Sequence, residues 1–310
     1  MLSRASNRED HAVPNRTMSD SPGELTNADF IRRLESLYLL ARRVLGGTLQ
    51  ADRKSKRKGA GITFADYAEY QLGDDYRAID WRVFARFDQL VIKLFEVEED
   101  TTVYILADTS HSMGSKFLPA KKLVASMGYI ALNCLDRLTV YGMAEKLHPI
   151  QNPTRGKAKV LSFLRALEAG ETNGNDTDFT ACVREFEVRH RKKGVVLVIS
   201  DFLFPGGFED GLKRLSGIGH DVYCLQMHSK SDLTCDWKGD VEIDCVETHR
   251  KERITVTRKE IQKYETIMAE WNAALKKECA RRGIGYATTT DDIPFEDVVQ
   301  GILRRGGLVA

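Results

Sequence analysis

Val103-Tyr104-Ile105-Leu106-Ala107-Asp108-Thr109-Ser110-His111-Ser112-Met113-Gly114 is the stretch that decides how this chain is read. Its first five residues form an unbroken apolar run, as a strand buried on both faces of a parallel sheet requires. Asp108 ends the run, and Ser110 and Ser112 follow at alternate positions. In open parallel sheets, ligands gather just beyond the carboxyl ends of the strands. One carboxylate and two hydroxyls at such a place make a hard, all-oxygen donor set of low charge. That chemistry suits Mg2+, which takes about six oxygens near ~2.1 Å and keeps several waters. The structural alternative is a plain strand-to-helix turn in which Ser110 or Ser112 caps the following helix.

Downstream, the apolar spacing predicts a helix over 119–135 and a strand over 138–143 with a short partner over 146–150. A helix over 157–168, a polar loop over 170–178 and a helix over 179–190 come next. Val195-Val196-Leu197-Val198-Ile199 reads as a second fully buried strand, ending in Ser200-Asp201. A helix near 207–218 and a strand over 221–227 continue the alternation. Residues 240–246 and 253–257 read as a hairpin in an insertion at about 229–257. A long helix over 259–282, a strand over 284–287 and a helix over 295–303 complete the pattern. Strands separated by helices imply an α/β chain with a doubly wound parallel sheet.

Asp201 ends the second buried strand, so it falls at the same sheet edge as Asp108. The loop Asn173-Gly174-Asn175-Asp176-Thr177-Asp178 offers Thr177 as a further oxygen donor just before a helix. Asp108, Ser110, Ser112, Thr177 and Asp201 form a far more specific set than any one of them. His111 lies between the serines, where alternation points it away from the site.

The amino-terminal third reads differently. Residues 1–24 are polar and expected to be disordered. A helix starts at Thr26, where Thr26-Asn27-Ala28-Asp29 has capping-box spacing, and is expected to end at Gly46-Gly47. Residues 53–58 carry five positive charges in six positions. They could meet phosphate or an acidic partner, but a solvated loop is the simpler reading. Gly73-Asp74-Asp75-Tyr76-Arg77-Ala78-Ile79-Asp80-Trp81, continued by Arg82 and Arg86, is dense in paired charges and aromatics. Asp74, Asp75 and Asp80 could be read as catalytic acids or metal ligands. No His, Cys or nucleophilic Ser accompanies them, so the reading is an ion-pair and hydrogen-bond network in which Arg77, Arg82 and Arg86 tie a strand-loop-strand to the next domain.

Composition sets outer limits. The 310 residues are 42% hydrophobic and 29% charged, ordinary for a globular protein. Lys plus Arg, 46, nearly cancels Asp plus Glu, 45, which gives no global case for nucleic acid or an anionic membrane. Residues 53–58 lack the interleaved aromatics of a nucleic-acid surface. No apolar run approaches a membrane span, and the first 24 residues lack the apolar core of a signal peptide. Six scattered cysteines with no Cys-x-x-Cys pair read as free thiols in a reducing compartment, so the expected location is cytoplasmic.

The set Asp108-x-Ser110-x-Ser112, Thr177 and Asp201 resembles, in content and order, the metal-ion-dependent adhesion site of von Willebrand factor A domains. That resemblance implies a six-stranded, mostly parallel sheet with helices on both faces. It also implies Mg2+ as the bound ion, with Mn2+ or Ca2+ as substitutes. Gly73-Asp74-Asp75-x-Arg77-x-Ile79-Asp80-Trp81 with Ala85-Arg86 resembles the signature of the uncharacterised A-domain-like family associated with MoxR ATPases. The likeness extends over about residues 60–305. Many relatives in that family carry two transmembrane helices before the signature, so a soluble short form is expected here. The implied organisation is a tail over 1–24, a helix, basic loop and signature segment over 25–100, and an A-like domain over 101–305. The implied partners are a MoxR-type AAA+ ATPase and a client protein that supplies an Asp or Glu carboxylate.

A Mg2+-dependent hydrolase using the same strand-end site is the rival. Phosphotransferases with a strand-end aspartate usually carry a second acid two residues on, where this chain has Ser110. No Gly-x-x-x-x-Gly-Lys-Ser/Thr loop is present for binding ATP. The expectation is therefore a binding module and not an enzyme.

Overall fold

The computed structural model describes residues 5–6, 23–52, 54–58, 63–98, 101–173, 177–234, 239–244 and 251–304. Most of the tail expected to be disordered, the centre of the Thr177 loop (174–176), Cys235 and Cys245 lie outside the described residues. Two compact units divide the chain: residues 42–100, and the rest.

The larger unit is built on six strands: β1 (Thr102–Asp108), β2 (Arg137–Met143), β3 (Leu147–Arg155), β4 (Val195–Ser200), β5 (Asp221–His228) and β6 (Gly285–Thr290). Their order across the sheet is β6-β5-β4-β1-β2-β3. All neighbours are parallel except β3, which returns antiparallel beside β2. This is the doubly wound architecture expected from the alternation of strands and helices, with the six-stranded, mostly parallel sheet that the A-domain resemblance implies. Chain order reverses at β1: β2 lies on one side and β4 on the other. A crevice opens at such a switch point, beyond the carboxyl ends of the two strands.

Burial follows from the sequence. Ile105, Leu106, Leu197, Val198 and Ile199 are almost wholly buried because helices cover both faces of the sheet. In chain order the helices are α1 (Phe117–Asn133), α2 (Val160–Glu168), α3 (Phe179–Arg189), α4 (Glu209–Gly217), α5 (Arg258–Arg281) and α6 (Phe295–Arg304). On one side the core joins Phe179 and Phe186 of α3, Phe202, Phe204 and Phe208 of the segment after β4, and Leu275 and Cys279 of α5. Phe179 and Phe204 stack at 4.9 Å between ring centroids. Helix α5 starts from a reciprocal capping box between Thr257 and Glu260. Before it stands the expected hairpin, Gly239–Asp244 against Lys251–Val256, with Ala5–Ser6 pairing on its first strand.

A helix over Ala28–Asp52 leads from the larger unit into the smaller one. Its start differs by one residue from the expectation. Asn27 is the cap, accepting the Phe30 N–H at 2.7 Å, while Leu25 and Thr26 donate to the Glu168 carboxylate. It also runs through Gly46-Gly47 instead of ending there. Two glycines weaken a helix by only about 1 kcal/mol each, too little to stop one with five further residues to propagate through.

The smaller unit holds an antiparallel three-stranded sheet, with Val91–Glu98 between Lys54–Lys58 and Thr63–Glu69. The basic run expected as a solvated loop is therefore a strand. A short helix, Trp81–Phe87, joins the other two strands and was not anticipated. The signature acids serve as local caps. Asp74 accepts the Gln71 N–H, Asp75 the Arg77 N–H, and Asp80 the Arg82 N–H, each at 3.0 Å. Gly73 sits at φ +109°, a conformation open to glycine alone at low cost. Asp80 is also bonded by Tyr67 Oη and paired with Lys93 Nζ, both at 3.0 Å. The Lys93 bond, aided by the Arg82 N–H and Tyr67, holds the Asp80 carboxyl down to about 2 against the opposing effect of burial. Among the described residues Arg77, Arg82 and Arg86 make no ion pair, and Lys93 is the cation that meets Asp80. The reason is reach, since Lys93 lies on the neighbouring strand and faces the Asp80 cap. No helix among the described residues is long and apolar enough to cross a membrane.

Candidate functional site

Strands β1 and β4 are hydrogen-bonded neighbours, with Val103–Ala107 in register with Val195–Ile199. Their ends therefore bring Asp108 and Ser200-Asp201 together. Both acids are buried, Asp108 at 2% and Asp201 at 1% exposure. Asp108 Oδ1 accepts the Ser110 N–H at 3.0 Å and the Thr177 hydroxyl at 3.2 Å. Its Oδ2 accepts the Ser200 hydroxyl at 2.6 Å. Ser110 and Ser112 lie with their hydroxyl oxygens 2.8 Å apart. Four of the five residues singled out in the sequence (Asp108, Ser110, Ser112 and Thr177) thus form one chain of hydrogen bonds, and Asp201 follows directly on Ser200. Ser110 occupies the N-cap of the turn His111–Lys116 but makes no side-chain capping bond. The hydroxyl is turned to the site, unlike the plain cap considered as the alternative. His111 is exposed and bonds Thr172, not the cluster.

Asp201 is held by different means. Its Oδ1 accepts the Leu203 N–H at 3.0 Å, and its Oδ2 accepts the Lys116 ammonium at 2.7 Å. Lys116 is 3% exposed and also reaches Asp232 Oδ2 at 2.9 Å. Gly114, at φ +36°, breaks the helical turn and so lets Lys116 point inward. Behind Asp201, Gln226 donates to its carbonyl at 3.0 Å and to Asn272 at 2.9 Å, and accepts the Tyr286 hydroxyl at 2.6 Å. Phe202 takes φ +58°, costly for a bulky residue. It is fixed there from both ends: its N–H bonds Ser200 Oγ, and its carbonyl accepts the Trp271 indole N–H.

The charges are unequally served. Burial, reinforced by the nearby Asp201 carboxylate, pushes the Asp108 carboxyl up to about 6 against its hydroxyl and amide bonds. Burial disfavours the Lys116 ammonium, but Asp201 and Asp232 outweigh it and raise its pKa above the ordinary lysine value. Asp232 is also desolvated, yet Lys116 and the Ser229 N–H hold its carboxyl below the usual range. One ammonium thus serves Asp201 and Asp232, and among the described residues Asp108 has no cationic partner. An all-oxygen donor set carrying an uncompensated buried charge fits a hard divalent cation. No cluster of three or more His, Cys, Asp or Glu suited to a metal occurs among the described residues. The set here differs in kind, since most of its donors are hydroxyls. Beside it a cavity of about 400 Å³ is lined by Asp108, Thr109, Phe117, Lys121, Thr172 and Asn173.

Three members of this site were missed in the sequence. Ser200 stands beside Asp201 at the strand end, and pairing β1 with β4 would have brought it to Asp108. Asp232 had a signal in Ser229-x-x-Asp232, a capping-box spacing that the structure realises. Lys116 had none, because nothing local marks a lysine that turns inward.

Residues 66–274 match the family described as "Protein of unknown function DUF58". The uncharacterized protein Rv1480 of Mycobacterium tuberculosis is 23% identical over 235 residues, which cover 73% of this chain and 74% of that protein. Among solved structures, the conserved hypothetical protein BatB from Bacteroides thetaiotaomicron is similar, with a TM-score of 0.43 and 17% identity over 66% of this chain and 96% of that one. The von Willebrand factor type A protein from Catenulispora acidiphila gives a TM-score of 0.38 and 13% identity over 69% of this chain and 43% of that one.

Proposed function

This chain belongs to the DUF58 family of proteins of unknown function, and from its site we propose that it is a Mg2+-dependent protein-interaction module. The observation that carries this reading is the buried Asp108 carboxylate, bonded by the Ser110 N–H and the hydroxyls of Thr177 and Ser200 and without a cationic partner among the described residues. Ser110, Ser112 and Thr177 would hold the ion through neutral oxygens, and Asp108 would orient them while balancing charge. Bound there, Mg2+ supplies an electrophilic centre that a partner's Asp or Glu carboxylate can approach. Mn2+ or Ca2+ would substitute, since the donors are all oxygen.

The reading is of a binding site and not a catalytic one. The Ser110 and Ser112 hydroxyls bond each other, and the neighbouring His111 bonds Thr172. Among the described residues neither serine hydroxyl therefore bonds a histidine or lysine of the kind that activates a nucleophile. The resemblance of the 73–86 segment to the MoxR-associated signature supports an adaptor role beside a MoxR-type AAA+ ATPase, in remodelling or activating a client complex. Free, buried thiols at Cys182, Cys224 and Cys279 support a reducing, cytoplasmic setting.

The test is affinity capture from native lysate with the wild type and Asp108→Ala, each in Mg2+ and in EDTA. Capture of a MoxR-type ATPase or its client by the wild type in Mg2+ alone supports the adaptor. Equal capture under all four conditions refutes it.

A further inference from the structure

We propose that Lys116 sets the cation affinity of this site by acting as a tethered counter-ion for Asp201, which a divalent cation gains only by displacing the lysine. The inference rests on the cation-binding reading above and concerns how strongly the site binds.

The two buried aspartates at the strand ends are not equivalent. Among the described residues Asp108 is met by neutral donors: the Ser110 N–H and the hydroxyls of Thr177 and Ser200. Asp201 has both oxygens committed, one to the Leu203 N–H and the other to a full positive charge 2.7 Å away. In this arrangement an incoming ion finds one anionic oxygen ligand and three hydroxyls, of Ser110, Ser112 and Thr177. Affinity for hard cations is tuned by the number of charged ligands, so this set binds weakly. Asp201 would add a second charge, but an ammonium occupies it.

Lys116 has somewhere else to go. Its second bond, to Asp232 Oδ2 at 2.9 Å, leads to an acid fixed by the capping box of the turn Lys230–Leu233. Ser229 donates its backbone N–H to the same Asp232 oxygen at 2.8 Å. On releasing Asp201 the ammonium therefore remains paired, while Asp201 passes to the ion, and no buried charge is left without a partner. Such an exchange avoids the penalty that normally locks a buried ion pair in place. Repulsion between the ammonium and a dication at Asp108 works in the same direction. The lysine and the metal thus compete for one carboxylate, and the lysine lowers the apparent affinity for every divalent cation.

The experiment is Mn2+ titration of the full chain, with free Mn2+ read by electron paramagnetic resonance. Wild type is compared with Lys116→Met/Asp232→Asn, which removes one positive and one negative charge and so leaves the net charge of the cluster unchanged. The same double variant carrying Asp201→Asn, and Asp108→Asn alone, complete the set. Thermal melts by circular dichroism establish folding. Lys116→Gln, which keeps an amide donor toward Asp201, is the second variant should the double variant not fold. The expected result is a dissociation constant lowered at least about ten-fold in the double variant, with the gain abolished by Asp201→Asn. Binding by the double variant alone, abolished the same way, also supports the role of Lys116. Asp108-dependent binding by the wild type that is unchanged or weaker in the double variant overturns the inference and leaves the cation site standing. No Mn2+ binding by any folded chain overturns both.

Discussion

The Ser200 hydroxyl donates a 2.6 Å hydrogen bond to Asp108 Oδ2, joining the ends of two adjacent parallel strands at the point where strand order reverses. The same Ser200 oxygen accepts the Phe202 N–H at 2.9 Å and so supports the left-handed turn that follows Asp201. Replacing Ser200 by Ala removes a bond to a charged group, worth about 1.5–3 kcal/mol, and leaves the Phe202 N–H without its acceptor. Urea denaturation of Ser200→Ala at pH 7 is expected to show a loss of at least about 2 kcal/mol. A loss below about 0.5 kcal/mol would mean that the bond carries no weight.

Asp108 behaves in the opposite way. Burial and Asp201 raise its carboxyl to about 6, so at pH 7 the folded protein carries a charge it would shed if it could. Asp108→Asn relieves that charge and is expected to stabilise the cation-free protein by roughly 1–3 kcal/mol, taking about 1.4 kcal/mol for each tenfold weakening of the acid on folding. Thermal melts in EDTA check this. A variant less stable than the wild type in EDTA would show that Asp108 is already compensated.

Asp80 in the smaller unit gives a pH signature of its own. Its folded carboxyl is held at about 2 by Lys93 and its hydrogen bonds, below the ordinary value near 3.9 of an unfolded aspartate. A depressed acid contributes stability that is complete above its unfolded pKa and is lost as pH falls through the folded one. Stability should therefore decline between about pH 4 and pH 2, and Asp80→Asn should flatten that part of the profile. Urea melts at stepped pH, followed by a fluorophore on the smaller unit, would reveal it. An unchanged acid limb in the variant would show that Asp80 does not set it.

Gly211, in α4, lies where an added Cβ would stand 2.4 Å from the Phe179 ring. Phe179 is buried and opens α3 two residues after Thr177. Ala would gain about 1 kcal/mol of helix propensity, but overpacking a core costs about 1–3 kcal/mol. Phe179 is stacked on Phe204 and has little room to move, so the packing cost should win. Gly211→Ala is expected to be destabilised, as measured by thermal unfolding, and a raised Tm would contradict this.

Much of this architecture was legible because buried strands announce themselves. Val103–Ala107 and Val195–Ile199 are continuous apolar runs, and each ends in or beside an acid, which was enough to bring Asp108 and Asp201 to one edge. The hydroxyl donors were legible because alternation fixes Ser110 and Ser112 once the strand end is known. Lys116 and Asp232 were not, because their pairing depends on where the turn at Gly114 and the segment after β5 meet in space. Lys93 as a partner of Asp80 was hidden for the same reason: it lies on a neighbouring strand, while arginines close in sequence drew the assignment. Gly46-Gly47 misled because local breakers yield to a helix that continues on both sides.

The central claim is that Asp108, Ser110, Ser112 and Thr177 hold a divalent cation, and calorimetric titration of Mg2+ into the wild type and Asp108→Asn tests it most directly. One binding event in the wild type, absent from the folded variant, is the predicted result. Identical heats in the two proteins, or no binding by the wild type at millimolar Mg2+, would contradict it.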